Sequence, residues 1–185
     1  MIALAREYGL AQEKEWGRAF QGSAFARLGR LDEGIAQLKD SLDVQQAIGS
    51  GLVRTAFLAL LADPLRRAGR TEEGLRAIEE GYAHATRMTE GGYLAELHRQ
   101  KAELLQSAGR LDDAEASYRA AIEQAVTQEA KSFELRAATG LARLFIKRNR
   151  RSEVRAVLQP VYDWFTEGQT TADLVDARET LAEIS

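Results

Sequence analysis

The two histidines, His84 and His98, are the residues best suited to bind a metal or carry a proton. Neither belongs to the clustered signature that metal sites normally show, so both read as ordinary helix positions and no metal is expected. With no cysteine there is no thiolate nucleophile, no disulfide frame and no cysteine-based zinc site. The paired acids Glu79-Glu80 and Asp112-Asp113 read as solvated faces or helix-start charges rather than as a general acid and base. No serine or threonine stands beside a plausible base. No G-x-x-x-x-G-K-[ST] loop occurs, and Gly49-Ser50-Gly51 lacks the next glycine of a dinucleotide fingerprint. No catalytic residue and no cofactor is therefore expected. Tyr162, Trp164 and Phe165 offer an aromatic ligand box; at helical spacing they read instead as core between a fourth unit and a terminal helix.

The elements that would position such groups follow from composition and periodicity. The chain has 185 residues, 25 Lys plus Arg against 28 Asp plus Glu, and a formal charge of −3. At 45% hydrophobic and 29% charged it is expected to fold into a real core. No apolar run approaches the roughly 20 residues of a membrane helix. No cationic segment followed by an apolar stretch opens the chain, so a cytoplasmic location without membrane contact is expected. Weak acidity argues against a nucleic-acid partner, whose footprint is a basic face. Ala, Leu, Glu and Arg abound and there are only 2 Pro, which points to helix throughout.

The chain repeats every 40 residues. Gly29-Arg30 recurs as Gly69-Arg70, Gly109-Arg110 and, degraded, Asn149-Arg150. Acidic starts follow each pair: Asp32-Glu33, Glu72-Glu73, Asp112-Asp113 and Glu153. Apolar residues on both sides keep helical spacing, so each unit reads as helix A, a tight turn and helix B. Gly or Asn at the turn suits a left-handed C′ residue. The acids meet the positive end of helix B, while Arg27, Arg66, Arg67 and Lys147 lie near the negative end of helix A. A kink is expected near Leu60 to Pro64, because Pro64 removes a backbone donor late in a helix.

Column chemistry separates the competing helical repeats. Period alone favours HEAT units. Small residues, however, face one another across the hairpin: Gly22, Ala62, Ala102 and Ala142 against Gly34, Gly74, Ala114 and the departing Val154. Large apolar residues flank them as Phe25, Leu65, Leu105 and Phe145, then Leu38, Ile78, Tyr118 and Leu158. Small residues at a crossing let helix axes approach while bulky ones fill the space beside it. This pattern resembles the tetratricopeptide repeat (TPR). It departs from it at Arg18, Leu58, His98 and Ala138, where a large residue usually opens helix A, and in lacking the usual proline after helix B.

The expected fold is an all-α right-handed superhelix, one TPR-like solenoid. Its parts are a partial helix B at 1–9, repeats at 11–49, 51–89, 91–129 and 131–169, and a C-terminal helix at 171–185. A helix B without its partner would leave an apolar N-terminal face, a surface for self-association into a homo-oligomer.

A narrower resemblance is carried by Tyr93 to Arg99, by Glu134 to Ala138, by Leu141 to Leu144 and most specifically by Val161 to Gly168. This stretch is similar to the C-terminal TPR region of bacterial signalling proteins that join a cyclase or winged-helix domain to an AAA-type ATPase. The resemblance implies a sensor or scaffold attached to other domains. The resemblance to TPR solenoids implies in turn that helix A lines a concave groove for a peptide or protein ligand, with inner columns that include Trp16, Asp63, Arg66, Glu96, Arg99, Glu103, Arg136, Thr139 and Arg143. Arg99, Arg136 and Arg143 would grip an acidic or C-terminal group. The alternative is that they pair with Glu96 and Glu103 as ordinary surface charges. Two rival functions stand beside peptide binding: a small-molecule inducer site, marked by a closed apolar pocket among the inner columns, and structural self-assembly.

Overall fold

A computed structural model describes residues 1–49, 51, 53–89 and 91–184. Among these the chain is all-α, with helices α1 (Ile2–Glu7), α2 (Ala11–Arg27), α3 (Leu31–Ala47), α4 (Arg54–Arg67), α5 (Thr71–Met88), α6 (Leu94–Ser107), α7 (Leu111–Thr127), α8 (Lys131–Lys147), α9 (Arg151–Asp163) and α10 (Ala172–Ala182). They form two compact units, Met1–Tyr93 and Leu94–Ser185.

In the first unit α2 pairs with α3 and α4 with α5, while α4 also packs on both helices of the preceding pair. The core there gathers Ala19, Ile35, Leu38, Leu42, Phe57, Leu58, Leu61, Leu65 and Ala77. Where α2 crosses α3 the backbones nearly touch. A Cβ on Gly34 would lie 2.6 Å from the Gly22 carbonyl oxygen and 2.8 Å from the Ala26 nitrogen. The short α1 packs on α2, and Met1, Leu4, Tyr8 and Leu10 are exposed around it.

In the second unit α6 pairs with α7 and α8 with α9; α8 also contacts α6, and α10 lies on α8 and α9. Leu97, Leu104, Leu135, Leu141, Leu144, Phe145 and Leu158 are buried inside it. The buried Tyr118 ring takes the space over Gly140, where a Cβ would sit 2.4 Å from a ring carbon.

The turns follow from helix-end chemistry. Gly29, Gly69 and Gly109 have φ of 87°, 71° and 77°, and Asn149 has 58°. Each closes a Schellman motif, in which the N–H of Arg30, Arg70, Arg110 or Arg150 reaches the carbonyl of Phe25, Leu65, Leu105 or Phe145 at 2.8–2.9 Å. The same left-handed break follows α1, α3, α5 and α7: Gly9, Gly49, Thr89 and Glu129 all have positive φ. The backbone therefore breaks every 20 residues, half the period of the side-chain columns, because hairpin turns and connections between hairpins use one device. Only the former carry glycine or asparagine throughout, so the sequence shows the 40-residue spacing and hides the shorter one.

Pro64 lies inside α4, which extends to Arg67, and is itself buried. One expectation meets a different outcome. The aromatic cluster is not core. Helix α9 ends at Asp163, so Trp164 and Phe165 leave the helical spacing, and Trp164 stands 58% exposed with Phe165 edge-on at 5.1 Å.

Candidate functional site

The helix-A face of the second unit is built from α6, α8 and α10. On α6, Glu96 and Arg99 are one turn apart and both are almost wholly buried. The Arg99 guanidinium donates Nη2–H to Glu96 Oε1 at 2.6 Å and Nε–H to Oε2 at 3.0 Å, and also pairs with Glu103. Burial alone would push the Glu96 carboxyl up; the hydrogen bond and charge of Arg99, with Arg136 nearby, hold it below the usual carboxylate range. For Arg99 burial pulls the other way, yet its two carboxylates raise it above the ordinary arginine value.

Charges then alternate across the three helices. Arg136 of α8 lies 3.7 Å from Glu96 on one side and 3.6 Å from Asp173 of α10 on the other. Arg136 also rests over the Phe133 ring at 4.8 Å. Two turns further along α8, Arg143 pairs with Asp176 and donates Nε–H to Thr180 Oγ1 at 3.2 Å. Thr139, between them in sequence, is buried and donates its hydroxyl to the Leu135 carbonyl at 2.8 Å. Arg99 therefore supports the face from beneath, and Arg136 and Arg143 are its accessible cations.

In the first unit Arg66 donates to Asp63 at 2.6 Å, and Arg67 ties α4 to α2 through the Ala26 carbonyl at 2.9 Å. Trp16 packs half-buried against the core of that unit. Its indole Nε1 is buried with no hydrogen-bond partner among the described residues. The inner-column residues thus fall into two sets: Trp16, Asp63 and Arg66 in one unit, the remaining six in the other.

Two groups of functional-looking residues escape column reasoning. The first is Asp173, Asp176 and Thr180 on α10. One more 40-residue step from Glu96 and Arg136 lands on Asp176, and that was the available signal. The second is the turn arginine of each hairpin, which pairs with the acid three residues on: Arg30 with Glu33, Arg70 with Glu73, Arg110 with Asp113 and Arg150 with Glu153. Arg30 and Arg150 also stack on Phe25 and Phe145 at 4.2 and 4.3 Å. These arginines clamp the hairpin corner, linking the bulky column of helix A to the start of helix B. The Glu115 carboxyl is a junction of the same kind: burial pushes it up, but hydrogen bonds from Arg150 and Arg119 hold it below its ordinary range.

Among the described residues no group of His, Cys, Asp and Glu is arranged to hold a metal ion, and no helix is long and apolar enough to cross a membrane. No protein-family model matches the chain, and no curated protein does. Solved structures do. A Podosopora anserina kinesin light chain-like protein of nearly identical TPR-like repeats superimposes with a TM-score of 0.69 at 15% identity, covering 94% of this chain and 86% of that one. A point variant of the same Podosopora anserina protein gives 0.70 at 14% identity, covering 94% and 85%. At such identities the likeness is one of fold, and the fold of this chain is an all-α TPR-like helical repeat.

Proposed function

We propose that the chain is a non-enzymatic interaction module of a bacterial signalling or regulatory protein, one that binds a peptide or protein segment along its helix-A face. The observation that carries this reading is the alternating ladder of Glu96, Arg136 and Asp173, with Arg143 and Asp176 beside it. The pairs that Arg136 and Arg143 make with Asp173 and Asp176 are solvent-accessible, and such pairs contribute little to stability, about 0–1 kcal/mol each. Their partners can therefore be exchanged for a ligand carboxylate or ammonium at small cost, while the buried Arg99–Glu96 pair keeps the face preorganised. Guanidinium forks such as Arg136 and Arg143 suit a carboxylate held in two places. Occupancy of the face would be passed on by the packing of α8 against its neighbours to whatever domain is attached.

A display library of random twelve-residue peptides, selected on the whole chain, tests this. Selected peptides are expected to lose at least tenfold in affinity on the Arg136→Gln/Arg143→Gln variant, whose substitutions are on solvent-accessible side chains. Peptides that bind the variant as tightly as the wild type, or a library that yields no binder dependent on these arginines, would overturn the reading.

A further inference from the structure

A different surface belongs to the first unit, between helices α3 and α5. One end is a cleft of about 270 Å³ whose floor is apolar, made by Leu42 of α3 and by Leu58, Leu61 and Leu65 of α4. The other is a polar cleft of about 500 Å³ bordered by Gln46, His84 and Arg87. Asp43, Arg54 and Glu80 border both, so the two clefts are neighbouring chambers of one furrow.

The furrow is held open by buried chemistry. Arg54, at the start of α4, is only 8% exposed, donates to the Leu42 carbonyl at 2.8 Å and pairs with Glu80. It therefore ties the floor to both walls. Lys39 of α3 pairs with Glu73 of α5 across the upper end. Two cations and two acids of the furrow are thus spent on each other. Arg76 and Arg87 remain: both border the furrow, both are exposed, and neither has a carboxylate partner among the described residues. Eleven residues along one helix return almost to the same face, so these guanidiniums stand on one stripe of α5. At 1.5 Å rise per residue they start about 16 Å apart, Arg76 on the apolar chamber and Arg87 on the polar one.

An extended chain advances about 3.3 Å per residue and turns every second side chain to the same face, so two side chains four residues apart stand about 13 Å apart on one face, within reach of both long guanidinium stems. From this match we propose that the α3–α5 furrow docks an extended segment of a partner protein with two acidic side chains four residues apart and an apolar side chain between them. Each acid is taken bidentately by Arg76 or Arg87. The central side chain enters the chamber over Leu58 and Leu61. Asp43, which makes no salt bridge among the described residues but lies within electrostatic reach of Lys39, supplies an acceptor for backbone N–H groups of the segment. This surface is separate from the helix-A face, so failure of one assignment leaves the other standing.

The test uses the whole chain and two display libraries of eight-residue peptides. One has Glu fixed at the second and sixth positions, the other Gln there, and the positions between are randomised in both. The Glu library is expected to enrich at least tenfold over the Gln library on the wild type, with an apolar residue selected in the middle. That enrichment is expected to vanish on Arg76→Gln/Arg87→Gln and to persist on Arg136→Gln/Arg143→Gln. A selected peptide is expected to shift the methyl resonances of Leu42, Leu58 and Leu61. Equal enrichment of the Gln library, indifference to the Arg76/Arg87 substitutions, or methyl shifts confined to other leucines would overturn the proposal. Because both arginines are exposed, unchanged helicity of the variant separates lost binding from lost fold.

Discussion

At the scale of single residues, Glu96 shows how a side chain chosen for binding comes to serve stability. Its carboxylate is buried, yet Arg99 holds it ionised at lower pH than a free glutamate. In the unfolded chain its value returns to about 4.3. Between the depressed folded value and that figure, the unfolded state carries the extra proton, so stability rises with pH. The contribution is complete above about pH 4.3 and is lost as pH falls through the folded value. Replacing Glu96 with Gln is expected to cost about 1–3 kcal/mol at neutral pH, since Arg99 loses a buried charged partner. The gap between variant and wild type should then narrow as pH drops toward 3, because the wild type alone sheds this term. Urea unfolding curves at several pH values measure it, and a gap constant with pH would refute the assignment. Glu115 and Glu153 are held low by arginines as well, so the variant keeps part of the acid limb. Residue types and columns were legible here, since Arg99, Glu96 and Glu103 are spaced for pairing on one helix. Their burial was not, because it depends on the neighbouring helix that covers them.

At the scale of elements, the hairpin is the unit that sequence patterning identifies best. Small residues at the crossing, glycine at the corner and acids at the next helix start are each local demands, written at fixed positions. The 20-residue rhythm of left-handed breaks was harder to see, because Thr89 and Glu129 occupy positions where glycine would have advertised it. Adjustments between neighbouring hairpins are also concealed, as Tyr118 and Gly140 show. Tyr118 stands in a column otherwise filled by Leu38, Ile78 and Leu158, and Gly140 follows 22 residues later, where Leu60 follows Leu38. A large ring in one hairpin is thus met by a missing side chain on the next helix A. Gly140→Ala is expected to cost about 1–3 kcal/mol, since the added Cβ meets a buried ring that has little room to move. In a Tyr118→Leu background the same change should cost less than about 1 kcal/mol, because the smaller side chain leaves space. Denaturant unfolding of the four proteins closes the cycle. An equal cost in both backgrounds would show that the ring is not what Gly140 accommodates.

For the whole molecule, the sequence repeats uniformly, yet the structure divides into two compact units at Tyr93 and Leu94. Uniform columns cannot announce such a division, because each hairpin satisfies the same local rules wherever it stands. What matters is whether each unit encloses enough apolar side chain to be stable by itself. The first unit has Phe57, Ile35, Leu38, Leu58 and Leu65 fully enclosed; the second has Phe145, Leu97, Leu104, Leu135, Leu141 and Leu144. Each core is made by helices of its own unit, with α4 lodged on α2 and α3 in one and α8 lodged on α6 and α7 in the other. In helical repeats stability is approximately a sum of unit and nearest-neighbour terms, so a unit with two docked hairpins is expected to persist when isolated. The fragments 1–93 and 94–185 should each remain helical and melt cooperatively, the second keeping the α6–α8–α10 ion-pair ladder within itself. Circular dichroism with calorimetry on the separate fragments decides this. If residues 94–185 lack a cooperative transition while the intact chain has one, the second unit does not stand on its own core. The peptide-binding assignments at the two faces would then have to be tested only in the complete chain.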